Sequence, residues 1–381
     1  MEFIDLKAQQ QRLRARIEER ICRVLDHGKY IMGPEVFELE EKLANFTGVK
    51  HAVSCSSGTD ALLMALLALR VVPGDIVFVP AFTFVATAEV LPLIGATPAF
   101  VDIDPETWNL DVESLRDAIS CVRDEGLGRA RGVIAVDLFG LLADYESIHA
   151  LAEEQGLFVI QDAAQSFGAT ALGQRAGSNA PIATTSFFPA KPLGCYGDAG
   201  AVFTSDDEVA ETLRSLRVHG GGRDKYDNVR IGLNGRCDTF QAAVLLEKLE
   251  IFEEEIDKRQ IVAARYTDSL NGARTLQKIP EGNRSVWAQY SVLSDQRTID
   301  RERLREAGVP TAVYYPKPLH QQDAFRDVAL CPVSLSCAEE TSRKIFSLPM
   351  HAYLGEQDQN RIVEVLFDLS SESEKESKRA G

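Results

Sequence analysis

Lys191 lies in the run Ser186-Phe187-Phe188-Pro189-Ala190-Lys191-Pro192-Leu193-Gly194-Cys195-Tyr196-Gly197-Asp198-Ala199-Gly200. An apolar, strand-like stretch from Ile182 to Phe188 delivers one lysine onto a loop carrying three glycines. An ammonium is costly to desolvate, so a lone basic residue in such a loop needs a reason. Covalent chemistry supplies one. Desolvation lowers the amine's pKa and makes it a nucleophile, able to form a Schiff base with an aldehyde cofactor such as pyridoxal 5'-phosphate (PLP). The competing reading is an ordinary solvated loop lysine, and other residues must decide.

PLP chemistry requires a carboxylate facing the pyridine nitrogen, because a protonated ring is the electron sink. The run Leu157-Phe158-Val159-Ile160 reads as a buried strand and ends in Gln161-Asp162-Ala163-Ala164-Gln165-Ser166-Phe167-Gly168. Open α/β sheets bind ligands beyond the carboxyl ends of their strands, which is where Asp162 falls. Gln165 is then within reach of a ring hydroxyl. A turn or helix-capping role for Asp162 is the plain alternative. A phosphate needs its own cradle. Ser54-Cys55-Ser56-Ser57-Gly58-Thr59-Asp60 precedes a helical pattern in which Leu62, Ala65, Leu66 and Leu69 share one face. Gly58 and Thr59 therefore stand at a helix start, where free N–H groups and the positive dipole end attract an anion. Ser186 is a second candidate phosphate contact.

Phosphate cup, strand-end aspartate and Ser-x-x-x-x-Lys in a glycine-rich loop, in that order, resemble the sugar aminotransferases of the DegT/StrS group. The resemblance runs from Phe3-Ile4-Asp5-Leu6 to about Leu354, through Tyr30-Ile31-Met32-Gly33-Pro34-Glu35-Val36, Pro80-Ala81-Phe82-Thr83-Phe84-Val85-Ala86-Thr87 and Leu348-Pro349-Met350-His351. Within the group the chain is most similar to the UDP-2-acetamido-2-deoxy-3-oxo-glucuronate 3-aminotransferases, on the run Ser186 to Gly197 and the segment Leu249 to Arg259.

The resemblance implies a PLP-dependent transferase of fold type I, aspartate-aminotransferase-like. It has a mostly parallel central sheet and a smaller C-terminal α+β domain. It implies Lys191 as Schiff-base lysine and proton shuttle, Asp162 on the pyridine nitrogen, Gln165 on the ring hydroxyl and Phe82 stacked on the ring. Gly58, Thr59 and Ser186 would hold the phosphate, with Asn234 reaching it from the partner subunit of a homodimer. Arg236, Tyr314, Tyr315 and Lys29 would meet the substrate. The substrates implied are L-glutamate and a nucleotide-linked keto sugar, for surface polysaccharide. The chain departs from the group's pattern at Ala199, Gly235, Tyr314 and Ala352, where Gly, Ser, His and Pro are usual. Amination at C4, or of another nucleotide sugar, stays open, as does a non-catalytic regulator of the same fold. The group's dehydratases carry a histidine at the lysine position, so Lys191 argues against dehydration. A Rossmann dehydrogenase is disfavoured, since no G-x-G-x-x-G follows the first strands.

These residues need a scaffold. The chain has 381 residues, 45% hydrophobic, enough for more than one domain. Its net charge of −16 argues against nucleic acid or an anionic membrane as partner. An anionic substrate then needs local positive charge, with Lys191, Arg236 and helix N-termini as sources and Lys29, Arg217, His219 and Arg223 as further candidates. Seven scattered cysteines without a C-x-x-C pair suggest reduced thiols in the cytoplasm. The histidines show no metal-binding spacing, so no metal is expected. The N-terminus shows no signal-peptide pattern, and no apolar run is long enough to cross a membrane.

Strands are expected at His51–Ser54, Ile76–Val79, Pro98–Val101, Val133–Val136, Leu157–Ile160, Ile182–Phe188 and Ala201–Thr204, with helices between many of them, such as Thr83–Leu93 and Tyr145–Glu154. One long helical stretch is expected from about Asp238 to Leu270, with Leu245, Leu249, Phe252 and Ile256 on one face. The expected division is a large PLP-binding domain over 1–245 with an N-terminal helical arm, a small α+β domain over 246–369, and a disordered polar tail over 370–381.

Overall fold

Each of the seven apolar runs becomes a strand of one sheet. These are β1 (His51–Cys55), β2 (Asp75–Pro80), β3 (Thr97–Val101), β4 (Arg129–Val136), β5 (Phe158–Asp162), β6 (Ile182–Ser186) and β7 (Gly200–Thr204). The computed structural model describes residues 1–224 and 226–377. The order across the sheet is β1-β7-β6-β5-β4-β2-β3. Only β7 runs against its neighbours β1 and β6; the other pairings are parallel. Continuous burial along β2 and β7 explains why these strands read as unbroken apolar runs rather than alternating ones. Strand β6 stops at Ser186, two residues short of the expected end, and Phe188 turns out to solvent.

Since six strands point the same way, their carboxyl ends form one rim. Cys55, Pro80, Val136, Asp162 and Ser186 all end there, and β7 begins there at Gly200. Helices cover both faces of the sheet. One core gathers Val133, Ala201 and Phe203 with Leu39 and Leu245; the other gathers Val77, Val79, Val202 and the helix Gly58–Ala68.

The expected long helix is two helices, Thr239–Leu249 and Phe252–Leu270. Leu245, Phe252 and Ile256 do enter one core, as their spacing implies, with Leu249 packed against it. The break at Glu250–Ile251 lets Ile251 join Leu13 and Ile17 of the N-terminal helix Leu6–His27, together with Val244, in a small separate core. Helix Ala86–Leu93 starts three residues later than expected, leaving Phe82 to Val85 as loop at the rim.

A third core, from Val262 to Leu366, lies under a small antiparallel sheet made of Thr275–Leu276, Tyr290–Leu293 and Ile345–Leu348. The last helix is Glu356–Ser377, so the segment 370–377, expected as disordered tail, carries helical backbone; residues 378–381 lie outside the described residues. Glu372, Glu374, Lys375 and Glu376 in that segment are good helix formers despite their polarity. Among the described residues no helix is long and apolar enough to cross a membrane.

Candidate active site

The rim brings the three sequence signals together. The turn Ser56–Ser57 follows β1 and opens the helix Gly58–Ala68. Ser57 caps that helix, its hydroxyl accepting from the Asp60 N–H at 3.0 Å. The N–H groups of Gly58 and Thr59 have no partner among the described residues and remain available at the dipole's positive end. Gly58 faces Ser186 across the gap, and a Cβ added to Gly58 would lie 2.7 Å from the Ser186 Cβ. At Gly200 an added Cβ would meet the Ser57 carbonyl oxygen at 2.4 Å, so glycine there lets β7 lie against the cup. A small anion has a built cradle between two strand ends.

Asp162 is buried at the end of β5. The Thr87 hydroxyl donates to its Oδ2 at 2.9 Å, and the Ala164 N–H donates to Oδ1 at 3.2 Å. Burial pushes the Asp162 carboxyl up, while Thr87, Ala164 and the charge of Lys191 pull the other way. Lys191 is only partly exposed, and burial lowers its pKa against the opposing pull of Asp162. Among the described residues no hydrogen bond or ion pair holds its ammonium. A desolvated amine and a desolvated carboxylate are thus electrostatically coupled, each favouring the other's charged form. A cation at a pyridine nitrogen would relieve the buried charge of Asp162. Lys191, Asp162 and the Gly58–Ser186 cradle fit PLP.

Phe82 is buried beside Tyr315, with ring centroids 6.0 Å apart at 71°. Gln165 is buried too, and its orientation is fixed: Oε1 accepts from the Phe139 N–H at 2.9 Å and Nε2 donates to the Tyr315 hydroxyl at 3.2 Å. Tyr315 therefore sits with Gln165 and Phe82. Tyr314 packs on Tyr315 (5.9 Å) and on Phe3 (6.3 Å), at the edge of the N-terminal segment. Asn234 is exposed, while the Gly235 carbonyl accepts from the Ser56 N–H at 3.1 Å, setting this segment beside the cup of its own chain. Arg236 is partly exposed, and its buried Nε has no partner among the described residues. Lys29 is exposed in the turn after the N-terminal helix, and among the described residues nothing links it to the others. Arg217 is not a solvated source of positive charge. It is buried in an ion pair with Glu40 and donates to the Ser54 carbonyl at 2.9 Å, bracing the strand that carries the cup.

The sequence pattern of the DegT/DnrJ/EryC1/StrS aminotransferase family matches residues 11–367. The chain belongs to this family. It is 51% identical over 93% of its length, and 96% of the relative's, to UDP-2-acetamido-2-deoxy-3-oxo-D-glucuronate aminotransferase of Pseudomonas aeruginosa. A crystal structure of a DegT/DnrJ/EryC1/StrS aminotransferase from Brucella abortus superposes with a TM-score of 0.95 at 49% identity, covering 97% of this chain and 99% of that one. NtdA from Bacillus subtilis, solved with bound cofactor PMP, gives 0.85 at 31% identity, covering 93% and 81%.

Family membership removes the dehydrogenase alternative. It also puts the residues missed by sequence reasoning in context. Thr87 lies in the quoted Pro80–Thr87 run, where no local pattern set it apart. Asp137, after β4, had no signal. Its buried carboxyl accepts from Ser166 (2.6 Å), Gln161 (2.7 Å), Tyr145 (2.8 Å) and the Ala143 N–H (3.1 Å), and burial pushes it up to about 6. That knot ties the ends of β4 and β5 and sets the turn from which Phe139 orients Gln165. Among the described residues no group of His, Cys, Asp or Glu is arranged to hold a metal. All seven cysteines are free thiols.

Proposed function

We propose that this chain transfers the amino group of L-glutamate, through PLP, to the C3 keto group of a UDP-linked 2-acetamido-3-keto uronic acid, in the cytoplasm, for a surface polysaccharide such as an O-antigen. The observation that carries the reaction is the electrostatically coupled, desolvated pair Lys191 and Asp162, at the rim that also holds the Gly58–Ser186 cradle. The observation that carries the substrate is the 51% identity to a relative named for it.

When bound, PLP supplies an electron sink that weakens bonds at the carbon bearing nitrogen. The chain's residues do the rest. Gly58, Thr59 and Ser186 hold the phosphate with N–H and hydroxyl donors. Asp162, held by Thr87, keeps a proton on the ring nitrogen by charge. Phe82 would lie against the cofactor ring, and Gln165 would offer the second proton of Nε2 to the ring hydroxyl. Lys191 would carry the proton. Burial lowers its pKa and so raises the share of free amine able to accept one. Arg236, whose Nε has no partner among the described residues, and Tyr314, Tyr315 and Lys29 would meet the entering sugar nucleotide. Two half-reactions through one site make a ping-pong scheme.

Glutamate alone is expected to convert the bound cofactor to its amino form, read as loss of the visible band near-stoichiometric with 2-oxoglutarate. The UDP-linked 3-keto sugar is then expected to restore the band. Turnover with 4-keto and not 3-keto sugars would move the amination site; no response to any amino donor would favour the regulatory reading.

The active sites are shared across a homodimer in this reading, with Asn234 and Arg236 serving the partner's Lys191. The exposure of Asn234 and of the apolar Tyr30, Ile31, Phe84, Phe188 and Ile231 supports a covered face. Subunit exchange between Lys191→Ala and Arg236→Ala homodimers tests it. A mixed dimer contains one site with both residues intact, so activity is expected to rise toward one site per mixed dimer. Proven exchange without recovery would put both residues in one chain's site.

A further inference from the structure

Lys248 is among the largest fully buried side chains, at 1% exposure, on the helix Thr239–Leu249. Burying an ammonium where a methionine or leucine would pack is costly, so what it holds matters. Its Nζ donates to the Gly194 carbonyl at 2.6 Å and lies 4.3 Å from the centre of the Tyr196 ring. Both partners belong to the loop that carries Lys191. Glu255 contributes favourable charge without an ion pair among the described residues, and burial still brings Lys248 down to about 8.

The loop is folded tightly on itself. The Lys191 N–H donates to the Phe188 carbonyl at 2.8 Å, and the Cys195 N–H returns to the Phe187 carbonyl at 2.7 Å. A Cβ at Gly194 would meet the Pro189 carbonyl oxygen at 2.5 Å, so only glycine permits the doubling back. One side of the loop is anchored by β6 and by the Phe187 N–H donating to the Ala199 carbonyl at 2.8 Å. The other side is anchored from the helix, by Lys248 at Gly194 and by Gln241, whose Oε1 accepts from the Tyr196 N–H at 3.0 Å. The preceding residue, Glu247, pairs instead with Arg16 and Arg20 of the N-terminal helix.

We propose that Lys248 is a positioning residue for Lys191: through Gly194 and Tyr196 it fixes the loop so that the Lys191 amine meets Asp162 and the reacting carbon in register. This rests on Lys191 being the cofactor lysine, as proposed above. Small displacements of a reacting group cost rate steeply, by about 100-fold for 1 Å. The prediction is therefore a split between turnover and binding, which a merely stabilising lysine would not produce.

The test uses the holoenzyme of Lys248→Met and of Gln241→Leu, which removes the second anchor at a partly exposed position. In Lys248→Met the rate constant of the glutamate half-reaction is expected to fall at least tenfold while the glutamate KM stays within threefold. The visible band of the lysine-bound cofactor is expected to shift its pH titration, and amides of 189–198 to exchange at least tenfold faster in the cofactor-free protein. Gln241→Leu is expected to move the same readouts by about threefold, and it carries the test if Lys248→Met does not fold. A lowered melting temperature with wild-type half-reaction rate, titration and exchange would make Lys248 structural only and overturn the proposal. Borohydride labelling of the wild-type protein at a lysine other than 191 would overturn the cofactor assignment and this proposal with it. Labelling at Lys191 with unchanged variants defeats this proposal alone.

Discussion

Lys191→Ala is expected to bind PLP without the visible band of a covalently held cofactor and to lose turnover by roughly 100- to 10,000-fold, the range for removal of a positioned acid–base group. Two buried or partly buried lysines near the site have depressed pKa values, so the prediction discriminates. Lys248 is occupied by the Gly194 carbonyl and the Tyr196 ring. Lys191 has no such partner among the described residues, and its charge is coupled to Asp162. A free, desolvated amine beside the acid is the competent one. Absorbance spectra of the purified variant and steady-state rates check both parts. A retained band would move the covalent role to another lysine.

Asp162→Asn is expected to fold, bind cofactor and lose roughly 100- to 1,000-fold in turnover, the usual size of one preorganised electrostatic contact. The amide is nearly isosteric, and Thr87 can keep its hydrogen bond. The formal charge is what disappears. Without it the ring nitrogen is not held protonated, and the stabilisation is lost mainly where negative charge develops, in the transition state. The melting temperature of the cofactor-free variant is expected to hold or rise, because burial penalises the Asp162 charge. Pre-steady-state rates of the glutamate half-reaction measure the effect directly. A variant with near-native rate would remove Asp162 from this role.

Much of this was legible in the sequence for physical reasons. Strands buried on both faces appear as short unbroken apolar runs, and all seven central strands were found that way. A strand end followed by small residues marked Asp162, and a Ser/Gly/Thr turn before an apolar helix marked the phosphate cup. The resemblance to a known family added residues such as Phe82 and Arg236 that no local pattern reveals. What escaped depends on tertiary neighbours. Nothing local says that the helical pattern breaks at Glu250–Ile251, because the break is set by the N-terminal helix that Ile251 packs against. Arg217 looked like surface charge because its partner Glu40 is far away in sequence. Asp137 and Lys248 were invisible for the same reason, since their partners come from other strands and loops.

The most direct measurement reduces the wild-type holoenzyme with borohydride and maps the cofactor-bearing peptide. The account predicts modification of Lys191, in the peptide following Phe187-Phe188-Pro189-Ala190. Modification of Lys248 or any other lysine, or none at all, would contradict it.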